Sequence, residues 1–242
     1  MVLPEEKRKA TNPNPRFFVF FGKPKVGKSS LASALEDNLI IDLEKGYTHL
    51  DALVVEANSV QDLGEIAKAI RSKNEELGRK AYKYITIDNG TKLESMVEPY
   101  ALQLYRDTPM GKNYTGSILK LPQGAGYLYL REAFFKVLDQ FKSLCDTLIL
   151  ICHCSDKLIN KEGKDLTEMT IDLTGKTARL VAADADAIGY CYREKNQVHM
   201  NFNGGGDAVV EARQPHLRGQ DIVVSESDEN NNITYYWDKI FK

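Results

Sequence analysis

The segment Gly22-Lys23-Pro24-Lys25-Val26-Gly27-Lys28-Ser29 constrains this chain more than any other, because it fills every position of the pattern G-x-x-x-x-G-K-[ST]. Before it runs Phe17-Phe18-Val19-Phe20-Phe21, an apolar stretch of strand length that reads as a central strand buried on both faces. After it, Ser29 to Leu35 has the character of a helix start. Strand, glycine turn and helix in that order distinguish a phosphate loop from a chance Gly-Lys turn. Gly22 and Gly27 let the backbone wrap a polyphosphate, while loop amides and the helix start supply partial positive charge. Lys28 brings a full charge to the β and γ phosphates, and Ser29 is the expected Mg²⁺ ligand. Gly22, Lys23, Pro24, Lys25, Val26, Gly27, Lys28, Ser29 and Ser30 are therefore the expected contacts of a nucleoside triphosphate. Lys23 and Lys25 fill variable positions and read as solvated.

Mg²⁺ beside such a loop takes a second anchor, usually a carboxylate at the end of a neighbouring strand. Asp88 ends Tyr84-Ile85-Thr86-Ile87-Asp88 and has that placement, although a strand-terminal aspartate can also cap the following helix. Turnover requires a group that orients or deprotonates water. Asp42 and Glu44, in Ile41-Asp42-Leu43-Glu44-Lys45-Gly46, end a second apolar strand, and only one of them need face the site. His153 ends the strand Thr147 to Cys152, either as a sensor of the γ phosphate or as a polar exit residue. The remaining histidines, His49, His199 and His216, form no constellation.

Strands alternate with helical patterns up to His153. The expected strands are Phe17 to Phe21, Leu39 to Leu43, Leu53 to Val55, Tyr82 to Asp88 and Thr147 to Cys152. Ser59 resembles an N-cap ahead of Leu63, Ile66, Ala67 and Ile70. Helical spacing returns over Thr91 to Tyr105 and Leu128 to Leu144, with a Gly/Pro-containing stretch, Thr108 to Gly126, between them that reads as a long mobile loop. This alternation implies an α/β fold, a mainly parallel sheet flanked by helices with ligands at the carboxyl ends of its strands. Beyond residue 156 the texture turns β-rich. Lys157 to Leu173 reads as a hairpin about Asn160-Lys161-Glu162-Gly163, and Ala187 to Tyr192 and Gln197 to Phe202 read as antiparallel strands. Gly204-Gly205-Gly206 and Asn230-Asn231-Asn232 read as turns. The expected organisation is a flexible arm over 1–15, then a single domain over 16–242 with a core at 16–156 and an antiparallel extension at 157–242.

The 242 residues suffice for one such domain. A net charge of −2 leaves any nucleic-acid contact to a local patch. Cys145, Cys152, Cys154 and Cys191 lack a zinc spacing and suit a reducing compartment. With no membrane-length apolar stretch and no signal-like start, the expected location is cytoplasmic. A regulatory GTPase is excluded. Asp172-Leu173-Thr174-Gly175 lies too late to follow the loop, and Thr91-Lys92-Leu93-Glu94 ends in the wrong acid.

The order of parts resembles the RecA-like ATPases, particularly the small phage-encoded single-domain members related to single-strand annealing and recombination proteins. The resemblance rests on Gly22 to Ser29, Asp42-Leu43-Glu44, Asp88 and His153, and runs from about Arg16 to Asp156. It implies ATP as the nucleotide, Glu44 as the water-activating acid, Asp88 as the metal anchor, and His153 as the sensor. It also implies a homo-oligomer, ring or filament, in which Arg213 either reaches a neighbour's γ phosphate or lies at the surface. The segment Arg106 to Arg131 mixes Lys112, Tyr114, Lys120, Tyr127, Tyr129 and Arg131, a blend of cations and aromatics suited to single-stranded DNA. Its plainer reading is a connector whose tyrosines pack on the core. Two other functions stay open: a small-molecule kinase using Thr108 to Gly126 as a lid, and an ATP-gated binding module with negligible turnover.

Overall fold

In the computed structural model, which describes residues 6–7, 12–161, 164–204 and 208–242, eleven strands form one sheet. Six of them run parallel. They are β1 (Phe17–Gly22), β2 (Asn38–Asp42), β3 (Leu53–Glu56), β4 (Tyr84–Asp88), β5 (Thr147–Lys161) and β7 (Ala187–Glu194), in the spatial order β7-β1-β5-β4-β2-β3. The central strands β1, β2 and β4 are buried at every residue, as their unbroken apolar runs require. Edge strand β3 is mostly exposed.

Two apolar layers cover the sheet. One contains Leu63 and Ile70 of α2 (Val60–Leu77), Ala101 of α4 (Glu98–Arg106), and Phe134, Leu138 and Phe141 of α5 (Gly126–Lys142). The other joins Leu31 and Leu35, from α1 (Lys28–Ser33) and its end, to Trp237, Ile240 and Phe241 near the C-terminus. Phe18 and Phe20 face that second layer and Phe21 the first, all three with no exposed surface. Burial of such a side chain contributes about 1.5–3 kcal/mol. Ser59 caps α2 as its sequence implies, its hydroxyl accepting from Asp62 N at 3.1 Å. Among the described residues no helix is long and apolar enough to cross a membrane.

Several elements depart from expectation. The helical stretch Thr91 to Tyr105 is two helices, α3 (Gly90–Met96) and α4, because Pro99 in the first turn of α4 has no N–H with which to continue α3. The stretch expected as a long mobile loop carries two single 3-10 turns, Ile118–Lys120 and Pro122–Gly124, with Ile118 and Leu121 buried. Strand β5 continues past Cys152 to pair with β6 (Lys164–Ile171) as an antiparallel hairpin, and its tip at 162–163 lies outside the described residues.

The largest correction concerns β7. It was expected among antiparallel strands, yet it lies parallel to β1, with Gly22 opposite Cys191, and is antiparallel only to β8 (Gln197–Asn201) and β9 (Glu211–Ala212). The short helix α6 (Thr177–Asp184) leads into it and supplies the crossover that a parallel neighbour needs. The antiparallel extension proper is β8 with β10 (Asp221–Ser227) and β11 (Ile233–Tyr235). Of the N-terminal stretch, Asn14 exchanges hydrogen bonds of 2.7 Å with Lys242, and Pro15 O accepts from the Thr147 hydroxyl. The arm expected over 1–15 otherwise lies partly outside the described residues, as does the turn expected at Gly205 and Gly206.

Candidate functional site

Strand register brings the expected site residues together. Gly22 on β1 lies level with His153 on β5, Asp88 on β4 pairs with Ile151 two residues below His153, and Asp42 on β2 lies level with Asp88. The carboxyl ends of β1, β4 and β2 therefore lie together with the point where β5 runs on beyond them, and this pole of the sheet is the candidate cleft.

Between β1 and α1 the loop has the shape its two glycines permit. A Cβ on Gly22 would meet Cys191 O at 2.4 Å, so this strand end fits between its neighbours only as glycine. Gly27 has φ +112°, a conformation L side chains rarely adopt. Lys23, Pro24 and Lys25 are exposed, Val26 is buried, and Ser30 is half-buried. Lys28 folds back under the loop, its ammonium donating to Gly22 O at 2.7 Å and Lys23 O at 2.9 Å. Burial lowers its pKa, partly countered by the nearby thiols and Asp88. An ammonium held on carbonyls in this way can exchange them for phosphate oxygens.

Ser29 Oγ donates to Asp88 Oδ2 at 2.9 Å, and the hydroxyl of Tyr47 donates to the same oxygen at 2.7 Å. Burial raises the Asp88 pKa, opposed by these two hydrogen bonds. Asp88 does not cap the next helix. Asn89 does, its Oδ1 accepting from Lys92 N at 2.8 Å, which leaves the aspartate free for the cleft. A serine hydroxyl and a carboxylate in contact fit Mg²⁺, a hard cation that takes one or two protein oxygens and completes its shell with water and phosphate. Among the described residues no group of three or more His, Cys, Asp or Glu is placed to hold a metal ion.

A second constellation adjoins the first. With Asn89 Oδ1 engaged in the cap, its amide Nδ2 faces His153 Nε2 at 3.0 Å and donates to it. The proton of the imidazole then sits on Nδ1, which is buried without a partner. Glu44 Oε2 lies 3.7 Å from His153 Nε2, and the glutamate is exposed to the cleft. Of the two candidate acids, Asp42 is buried and accepts from Glu44 N at 2.9 Å, so it shapes the turn from which Glu44 projects.

Other expected residues lie elsewhere. Arg213 pairs with Asp186 at 3.0 Å, and Asp186 also accepts from Arg16 N, which puts that arginine at the amino ends of β1 and β7, the pole opposite the loop. In the segment Arg106 to Arg131, Tyr105 makes ring contacts with Tyr114 and Tyr129, so those two tyrosines pack on the core, whereas Lys112, Lys120 and Tyr127 are exposed.

Sequence reading missed Tyr47, Asn89 and Arg193. Arg193, near the end of β7, donates from Nη2 to Val26 O at 3.3 Å and stands beside Gly27, a second cation against the loop. Its only sequence signal was a position two residues past the level of Gly22, which is legible only once β7 is known to be parallel to β1. No curated protein matches the chain. The model of an AAA domain matches residues 14–219, from just before β1 to just before β10. With its phosphate loop at the head of a mostly parallel sheet, the chain belongs to the AAA domain family of nucleotide-binding ATPases.

Proposed function

We propose that the protein is a Mg²⁺-dependent, RecA-like ATPase that works on single-stranded DNA in phage-type recombination or replication. The observation that carries the catalytic part is the convergence of Lys28, the Ser29–Asp88 pair and the Glu44–His153 pair on one cleft. Loop amides and the Lys28 ammonium hold the β and γ phosphates in place. Ser29 and Asp88 hold Mg²⁺, which when bound neutralises charge on the phosphate oxygens. Glu44 accepts a proton from the water that attacks the γ phosphorus while the bond to the bridging oxygen breaks, yielding ADP and inorganic phosphate. His153, held by the Asn89 amide, stands 3.7 Å from Glu44 and borders the position of that water.

The nucleic-acid part rests on the stretch between α4 and α5. Of the nine large hydrophobic side chains that are exposed among the described residues, Met110 and Leu119 fall here and Tyr127 and Leu128 in the first turn of α5, in one segment with the exposed Lys112 and Lys120. Exposed apolar groups gathered beside cations support a surface that meets bases and phosphates. Assembly into a homo-oligomer is part of the same reading, in which Arg213, far from its own loop, would exchange Asp186 for the γ phosphate of a neighbouring subunit.

Phosphate release measured with and without single-stranded DNA tests both parts. Slow basal release, absent in Lys28→Ala and stimulated by DNA, is expected. Release that depends on an added phosphate acceptor would instead make the protein a kinase. For the DNA surface, charge removal at Lys112 and Lys120 should weaken binding and flatten its salt dependence. Unchanged binding in that double variant excludes the segment.

A further inference from the structure

Tyr47 has no place in the phosphate-loop pattern, yet it makes the shortest side-chain contact to the Asp88 carboxylate. Its ring is 5% exposed and belongs to the apolar layer that holds α1. A phenylalanine would supply the same packing, so the hydroxyl needs its own explanation. Both donors on the aspartate, Ser29 and Tyr47, converge on Oδ2. A cation ligated by Ser29 would draw on a lone pair of its oxygen, whereas the phenol stands outside that ligation and stays a donor to the carboxylate with or without the cation.

Tyr47 also ends the turn that begins at Asp42. The near side of that turn hangs on the main chain of Asp88, Leu43 N donating to Asp88 O at 2.8 Å. The far side hangs on the side chain of the same aspartate through Tyr47, and Glu44 projects between the two attachments. Lys45, between Glu44 and Tyr47, has φ +59°, a conformation unusual for a side-chain-bearing residue.

We propose that Tyr47 is a positioning residue for the divalent cation and for the hydrolytic acid together: its hydroxyl fixes the orientation of the Asp88 carboxylate and clamps to it the turn that carries Glu44. The inference rests on the reading of Ser29 and Asp88 as the magnesium-holding pair. Through this one phenol, cation occupancy and the placement of Glu44 become linked.

Tyr47→Phe removes the hydroxyl and keeps the ring. Two readouts separate a positioning role from a packing role: calorimetric ATP binding across a magnesium titration, and direct Mn²⁺ binding to the protein–nucleotide complex by paramagnetic resonance. The expected result is ATP affinity without divalent cation within about twofold of the parent, and a metal midpoint raised about tenfold, the effect of losing one hydrogen bond to a charged group. At saturating magnesium kcat should still fall with KM for ATP unchanged, because the Glu44 turn has lost its far attachment. In an Asp88→Asn background the same substitution should add little, since the two changes remove one interaction. An unchanged metal midpoint in folded Tyr47→Phe overturns the inference, as does an undiminished effect in the Asp88→Asn background. A Tyr47→Phe chain that does not fold, beside an intact Asp88→Asn chain, also overturns it by making the hydroxyl a requirement of packing. A parent protein that binds no ATP at any magnesium concentration overturns the Ser29–Asp88 reading as well, so the two failures are told apart.

Discussion

Glu44 Oε2 stands 3.7 Å from His153 Nε2, the gap between two side chains that come from strands separated by β4. The distance is too long for a direct hydrogen bond, and the imidazole nitrogen already accepts from Asn89. Glu44→Gln keeps the size and polarity of the side chain and removes its basicity. ATP binding should persist while phosphate release falls about 10²- to 10⁴-fold, the usual contribution of a general base. Ordinary turnover in this variant would exclude Glu44 from that role.

Asp88 makes stability depend on pH in a direction opposite to that of a salt-bridged carboxylate. Its folded pKa is raised by burial, so its contribution to stability is complete below the unfolded value, near 3.9, and is lost as pH climbs through the folded value. Asp88→Asn stays neutral throughout. Without nucleotide or divalent cation, the melting temperature of the variant should gain on that of the parent as pH rises from about 4 to 8. A constant difference across that range would count against the raised pKa.

Arg193 touches the loop from outside the phosphate-loop pattern, through Val26 O at 3.3 Å. Like Lys28, it rests on a loop carbonyl that phosphate oxygens can replace as acceptor. Arg193→Ala should weaken ATP binding about tenfold or more, the effect of one lost hydrogen bond to a charged group. Equal affinity by calorimetry would leave the arginine a surface residue.

Trp237 Nε1 donates to Leu31 O at 2.9 Å, a buried bond that ties the C-terminal 3-10 turn to α1. Trp237→Phe should cost about 1–3 kcal/mol through the carbonyl left unsatisfied, read as a lower denaturant midpoint. A midpoint unchanged within error would mean that α1 does not depend on this contact.

What could be read along the chain was whatever is local. The loop from Gly22 to Ser29, the strand before it and the Ser59 cap each declare themselves within a few residues. Asp88 declared itself as a strand end, but that it does not cap the next helix is visible only from Asn89, which takes the cap. Strand β7 was misread because its direction is a property of its neighbour: Ala187 to Tyr192 has the same apolar pattern whether β1 runs with it or against it. Helix α6, eight residues without a side-chain N-cap, gave no start signal to suggest the crossover. Tyr47, Asn89 and Arg193 lay hidden for a related reason. Each acts on a residue of another strand or loop, and only sheet order brings such partners together.

The family match ends at residue 219, while Trp237 lies beyond it and is the sole tryptophan of the chain. Its indole is fastened to the first helix, whose opening residues, Lys28 and Ser29, hold the phosphates and the cation in the proposed reading. The protein thus carries its own optical probe: any tilt of that helix as a nucleotide arrives should register in the ultraviolet emission of the native chain, with no label attached.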